Sequence, residues 1–349
     1  MNKALIKTGL ETLYFTGSHL ALRPFIGGVG AILTLHHVRP PRPDAFQPNR
    51  LLEIAPEFLD DVITTLRDAN FDFISLDEMH RRLIERSFWR RFVCLTFDDG
   101  YRDNLIHAYP VLKRHGVPFA IYIPTSFPDG GGELWWLALE EAIARNDRLA
   151  LVMDGSDRRF DCRTPEQKYE LYETIYWWLR GLESEAKLRR AIKDLCIRYR
   201  IDLARFCRDL CMGWEELRQL AADPLVTIGA HTVNHVMLRK TSDEEAKSEM
   251  KMSAAVIETA LGLRPRHLSY PIGDPGSAGP REFRLAAELG FATAVTTRPG
   301  MLFPEHRDHL TALPRISLNG EYQRLRYVRV LLSGAGTAIN NRFRRVNAA

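Results

Sequence analysis

Phe92-Val93-Cys94-Leu95-Thr96-Phe97-Asp98-Asp99-Gly100 is an apolar, β-rich run that stops on two carboxylates and a glycine. A short run of this kind, bounded by turn chemistry, reads as a buried strand over 92–97. Adjacent side chains on an ideal strand point to opposite faces, so Asp98 and Asp99 share one site only if the turn at Gly100 redirects one of them. Two acids forced into one site take different pKa values unless a cation neutralises one. The plainer alternative is a turn or helix N-cap made by Asp98 and Gly100.

Outward from this run, apolar segments alternate with helix-period segments. Ala31–His36, Pro118–Ile123, Leu225–Ala230, His267–Pro271 and Phe291–Thr297 read as further strands. Pro56–Ala69, Asn104–His115, Ser242–Leu261 and Arg281–Leu289 read as helices. Repeated strand–helix–strand order predicts a parallel sheet with helical crossovers; alternation alone allows either an open doubly wound sheet or a barrel. Residues 132–222 break the rhythm. They hold amphipathic helical stretches and no convincing strand, which predicts a helical insertion. Its Trp135, Trp136, Trp177 and Trp178 are candidates either for core packing, the commoner use, or for stacking on sugar rings.

Two further strands end in histidine chemistry and a third in a polar turn. Gly229-Ala230-His231-Thr232-Val233-Asn234-His235 places two histidines four apart, able to meet on one side of a turn or helix and hold a metal. Threonine at 232 removes the general-base glutamate of an H-E-x-x-H protease helix. Thr34-Leu35-His36-His37 ends the first strand in histidine, and His267-Leu268-Ser269-Tyr270-Pro271-Ile272-Gly273 runs into a turn that can offer backbone N–H groups.

Together, TFDDG (96–100) and HTVNH (231–235) resemble the NodB-homology polysaccharide deacetylases, carbohydrate esterase family 4, over roughly residues 30–320. The resemblance implies an irregular (β/α) barrel, and hydrolysis of the N-acetyl amide of N-acetylglucosamine-type oligo- or polysaccharides. It implies Asp98 as catalytic base and Asp99, His231 and His235 as ligands of a divalent metal, zinc first, with cobalt, nickel or manganese also compatible. No late Leu-x-His follows the pattern. LTLH at 33–36 instead resembles the permuted branch with the acid on the first strand, which makes His36 the acid and His37 the less favoured choice. The third family motif, Arg-Pro-Pro-Tyr-Gly, is here Ser269-Tyr270-Pro271-Ile272-Gly273. The Ile272 N–H can still face the oxyanion, but the arginine that orients the base is gone; Arg298 and Arg315 are the candidate substitutes. Hydrolysis of a small non-sugar amide on the same scaffold and a catalytically silent sugar-binding protein are the competing readings. Chitin-like oligomers, peptidoglycan and an exported surface polysaccharide are all open as the natural glycan.

The 349 residues, 45% hydrophobic and 26% charged, give ample material for one barrel domain. Five cysteines, Cys94, Cys162, Cys196, Cys207 and Cys211, have no framework spacing and read as buried thiols of a reducing compartment. No segment has the length or apolarity of a transmembrane helix or signal sequence, which leads to the expectation of a cytoplasmic protein. After Glu321 the chain has no acid but carries Arg324, Arg326, Arg329, Arg342, Arg344 and Arg345. Without those six, 42 bases face 44 acids, so the net positive charge comes from the residues after Glu321. A frayed, solvated tail is the expectation there, with weak peripheral inner-membrane contact as the alternative. Nucleic-acid binding has no support, because no basic motif with interleaved aromatics is present.

Overall fold

The computed structural model describes residues 3–348. Seven parallel strands close on themselves: β1 (Gly30–Leu35), β2 (Phe92–Phe97), β3 (Phe119–Ile123), β4 (Val226–Ala230), β5 (His267–Ser269), β6 (Thr293–Pro299) and β7 (Leu313–Ser317). Their order is β1-β7-β6-β5-β4-β3-β2, and β1 pairs with β2 to complete the barrel. The strand reading of the sequence is met at six of the seven. β7 was not foreseen, because Pro314 and Arg315 interrupt its apolar pattern.

Period-2 alternation explains both the core and the site. Ala31, Leu33, Leu35, Val93, Leu95, Phe97, Ile121 and Ile228 pack outward against helices such as Pro56–Asp68 and Asp243–Leu261. Ile32, Cys94, Ala120, Tyr122 and Leu313 form the separate interior cluster. Continued to the strand ends, the interior columns become polar: Thr34 then His36, Thr96 then Asp98, Gly229 then His231, Arg315 then Ser317. Gly229 is required, since a Cβ there would stand 2.4 Å from the Tyr122 ring that fills the barrel.

Within the insertion read at 132–222, helices Trp135–Ala144, Pro165–Gly181, Glu185–Tyr199 and Arg205–Leu210 pack around a second apolar core, whereas Trp214–Ala221 packs into the main core through Leu217 and Leu220. The expectation that the insertion lacks strands is corrected: Arg148–Met153 and Ser156–Asp161 pair as an antiparallel hairpin. Asp154 and Gly155, both at positive φ, make its tight turn. The frayed C-terminal tail is corrected as well. Leu325–Leu332 and Ala335–Asn340 are helices, the first packed on Lys3–Phe15, where Glu11 accepts hydrogen bonds from Arg326 at 2.6 Å. Buried apolar residues on one face of 325–332 outweigh the charge on the other. All five cysteines are free and buried. No described helix is long and apolar enough to cross a membrane.

Candidate functional site

All seven strands run the same way, so the ends of the polar columns meet at one mouth of the barrel. Asp98 continues the interior column of β2. Asp99 should point outward, but its backbone is left-handed (φ 73°), and the turn swings its carboxylate back toward the histidines. Thr232 (φ 65°), His235 (φ 55°) and Ile272 (φ 62°) share that conformation. Each costs about 1–3 kcal/mol, and for β-branched threonine and isoleucine it is a true outlier. Such backbone strain persists where the surrounding structure fixes it, and here it surrounds one cluster.

Asp99, His231 and His235 bring their ligand atoms within 4.8 Å of one another. The Asp99 Oδ1 lies 3.6 Å from His231 Nε2 and 3.4 Å from His235 Nε2. His231 Nδ1 faces the Ser269 carbonyl at 2.7 Å, so it carries the proton and leaves Nε2 with a lone pair toward Asp99. Burial lowers the pKa of both imidazoles, His235 well below the usual range, so both rings are neutral as ligation requires. Burial, then the charge of Asp98, pushes the Asp99 carboxyl well above its ordinary value, and its Oδ1 is buried with no hydrogen-bond partner among the described residues. An orphaned buried carboxylate oxygen facing two neutral imidazole nitrogens fits a divalent cation. The two histidines meet across a turn, not on a helix. Glu249 holds that turn, accepting from the N–H groups of Val233 (2.8 Å) and Asn234 (2.9 Å).

Asp98 has a different environment. Burial opposes its ionisation, but Arg315 prevails and holds the carboxyl well below the usual range. The guanidinium is fully buried and bidentate: Nη1 to Oδ1 at 2.8 Å and Nη2 to Oδ2 at 2.6 Å. Its Nε donates to the Thr296 carbonyl at 2.9 Å and Nη2 also donates to Ser269 Oγ at 3.0 Å. Serine at 269 thus contacts the arginine arriving from β7. Arg298, the other candidate, donates instead to the Ala278 carbonyl at 3.1 Å.

The histidine pair at the end of β1 divides. His36 lines the cavity, while His37 stacks on Tyr101 (3.6 Å between centroids), with Nδ1 2.6 Å from Asp103. Asn104 donates to the His36 carbonyl at 2.7 Å and fixes this strand end. Burial pushes His36 down to about 4, against the pull of Asp98. The cavity above the cluster, about 390 Å³, is walled by Trp135, Trp136, Tyr172, Tyr176 and Trp177 of the insertion, and Ile272 also lines it. Trp135 and Trp136 are therefore core and cavity wall at once. Trp177 is 58% exposed at the rim, and Trp178 instead donates to Asp154.

Sequence reading missed Arg315 as the definite partner of Asp98, and it missed Glu249, Asn104 and Tyr172 altogether. An arginine inside Leu313–Ile316 was the one available signal, since charge is rarely placed in a strand core without a partner.

Fold and site define a parallel (β/α) barrel carrying an Asp-His-His metal-type centre beside an arginine-held carboxylate. The chain belongs to the polysaccharide deacetylase family, whose profile matches residues 86–146 and 176–294, over half its length. Residues 147–175, with the hairpin and Tyr172, fall outside that match. The Bacillus subtilis protein YxkH, itself named only provisionally as a polysaccharide deacetylase, is 21% identical over 208 residues, which are 60% of this chain and 45% of that protein. The chain thus spans less than half the length of that curated relative. Similar solved structures include the Streptococcus pyogenes deacetylase PplD in complex with acetate (TM-score 0.56, 18% identity, 83% of this chain and 92% of that one). IcaB from Ammonifex degensii is comparable (TM-score 0.55, 17% identity, 88% and 98%). At such identities the likeness establishes the shared barrel.

Proposed function

We propose that the protein is a metal-dependent hydrolase that removes N-acetyl groups from glycans or glycan precursors built on N-acetylglucosamine. The observation that carries this reading is the pairing, under one cavity, of a carboxylate locked to Arg315 with a second carboxylate facing two neutral imidazoles. Only the first has an internal counter-ion, so the two adjacent acids are suited to different tasks.

Asp99, His231 and His235 hold the cation, zinc being the best match to the nitrogen and oxygen donors. When bound, such an ion acidifies water and polarises an amide carbonyl. Asp98, turned away from the ligand set by Arg315, takes the proton of the attacking water, a role typically worth about 10²–10⁴-fold. The Ile272 N–H, in its left-handed turn, donates to the developing oxyanion. His36 rests neutral. Because Asp98 is a strong acid once protonated, it can pass its proton to His36, which returns it to the departing amine of the sugar. The aromatic wall excludes water and offers faces on which sugar rings stack.

Acetate release from N-acetylglucosamine oligomers by purified protein, before and after chelation and zinc re-addition, tests this. Release that vanishes and returns with the metal is expected. A folded, metal-loaded protein that releases acetate only from small non-sugar amides, or not at all, overturns the glycan assignment.

A further inference from the structure

The two ends of the chain come together away from the cavity. Lys3–Phe15, Ser18–Ile26, Leu325–Leu332 and Ala335–Asn340 pack on one another as one helical layer. The helix Ser18–Ile26 is anomalous there: only His19 is buried, while Leu20 (59%), Leu22 (38%) and Phe25 (71%) stand in solvent. Leu5, Phe15, Ile339 and Phe343 are exposed in the same layer. Seven of the sixteen large apolar side chains exposed among the described residues thus lie on these short terminal segments. Single exposed leucines are ordinary; a concentration of them marks an interaction surface.

Charge decides what that surface meets. Lys7, Arg23, Arg329, Arg342 and Arg344 are exposed and have no carboxylate partner among the described residues. The layer's acid, Glu11, is already taken by Arg326, and neighbouring Glu305 pairs with Arg345. Ile26, Phe343, Arg344 and Arg345 line one small cleft, so the apolar and basic elements adjoin. Exposed aromatic and leucine side chains ringed by unpaired arginine suit the interface of an anionic bilayer, where the apolar groups enter the acyl boundary and the cations meet headgroups.

The layer also has a defined place on the barrel. Arg91, one residue before β2, donates to the carbonyls of Gly27 and Leu332, both at 2.6 Å. The ends of the helices 18–26 and 325–332 are thereby pinned to the N-terminal ends of β1 and β2, opposite the mouth that holds the Asp-His-His cluster. We propose that this terminal layer docks the protein peripherally on an anionic phospholipid surface and presents the catalytic mouth away from it. The docking is independent of whether the glycan reading is correct.

The test is co-sedimentation of the full chain with vesicles of phosphatidylcholine alone or mixed with phosphatidylglycerol, at low and high salt, with hydrogen exchange on the same samples. Binding to the phosphatidylglycerol vesicles that weakens with salt is expected, together with new protection over residues 15–26. Arg342→Gln combined with Arg344→Gln should weaken partitioning by roughly 10-fold or more, since each arginine near such a surface contributes on the order of fivefold. Phe25→Glu should do the same, while acetate release from soluble oligomers and metal content stay at wild-type levels. No wild-type binding, binding indifferent to anionic lipid, or variants that bind like wild type would each overturn the proposal. So would a dimer, dissolved by Phe25→Glu, in protein that ignores vesicles, because the face would then belong to a second copy.

Discussion

Arg315, inside β7, forms a buried bidentate ion pair with Asp98 at the end of β2, from 217 positions further along the chain. β1 lies between those two strands, so the guanidinium spans one strand's width across the barrel interior. Both partners are almost fully buried, and removing either strands the other's charge. Arg315→Met should therefore destabilise the protein by about 3–5 kcal/mol in denaturant unfolding. Asp98→Asn should also destabilise, by leaving the buried guanidinium without its counter-ion, while it retains metal and lowers turnover by about 10²–10⁴-fold. Near-wild-type turnover in Asp98→Asn would remove it as the base.

Metal should be coupled to stability through Asp99. With its Oδ1 unpaired and its carboxyl pushed up by burial and by Asp98, the folded cluster gains most when a cation arrives. Zinc at about 100 times its dissociation constant should stabilise by roughly 2.7 kcal/mol, read as a rise in Tm that chelator reverses. His231→Ala should abolish that rise, bound metal and turnover alike.

Glu249 restrains the turn that carries His235, through the N–H groups of Val233 and Asn234 and the Asn234 side chain. Glu249→Ala should weaken metal affinity by about 10–100-fold with His231 and Asp99 unchanged. Competition with a chromophoric chelator measures it. An unchanged affinity would mean that the strained backbone holds itself.

Acid should destabilise the protein well above the carboxylate range. His36 and the buried His306 are both pushed by burial from 6.5 to about 4, and His231 and His235 move in the same direction. Between about 4 and 6.5 these imidazoles bind more protons unfolded than folded, so their contribution to stability rises with pH across that window and is lost as pH falls through it, while the raised Asp99 carboxyl of the metal-free protein acts in the opposite sense. His306, remote from the cluster and fully buried, contributes on the order of 3 kcal/mol of that loss. His306→Asn should flatten the dependence of Tm on pH between those limits; an unchanged slope would show that His306 titrates normally.

Trp177 stands at the cavity rim, with its indole N–H bonded to Glu173 at 2.9 Å. Trp177→Ala should raise KM for long oligomers more than for short ones and leave kcat nearly unchanged, because a stacking face at the rim binds distant sugar rings without touching the scissile amide. An equal fall in kcat would place the indole nearer the chemistry.

What the sequence determined by itself was local. An apolar run that stops on Asp98-Asp99-Gly100, another that stops on His231, and a third that stops on His36 each place their chemistry at a strand end, because strand and turn preferences act over a few residues. Parallel crossovers then send those ends to a common mouth. Three matters depended on the assembled barrel. Whether Arg298 or Arg315 meets Asp98 is settled by which side chain lies on an interior column facing it, a relation between distant strands. Which of His36 and His37 reaches the cavity follows from the phase of β1 and from Asp103 capturing the other ring. The redirection of Asp99 depends on a left-handed backbone held by the surrounding packing, which its residue type alone would not favour. Local patterns encode where a strand ends; only the closed sheet decides what stands opposite it.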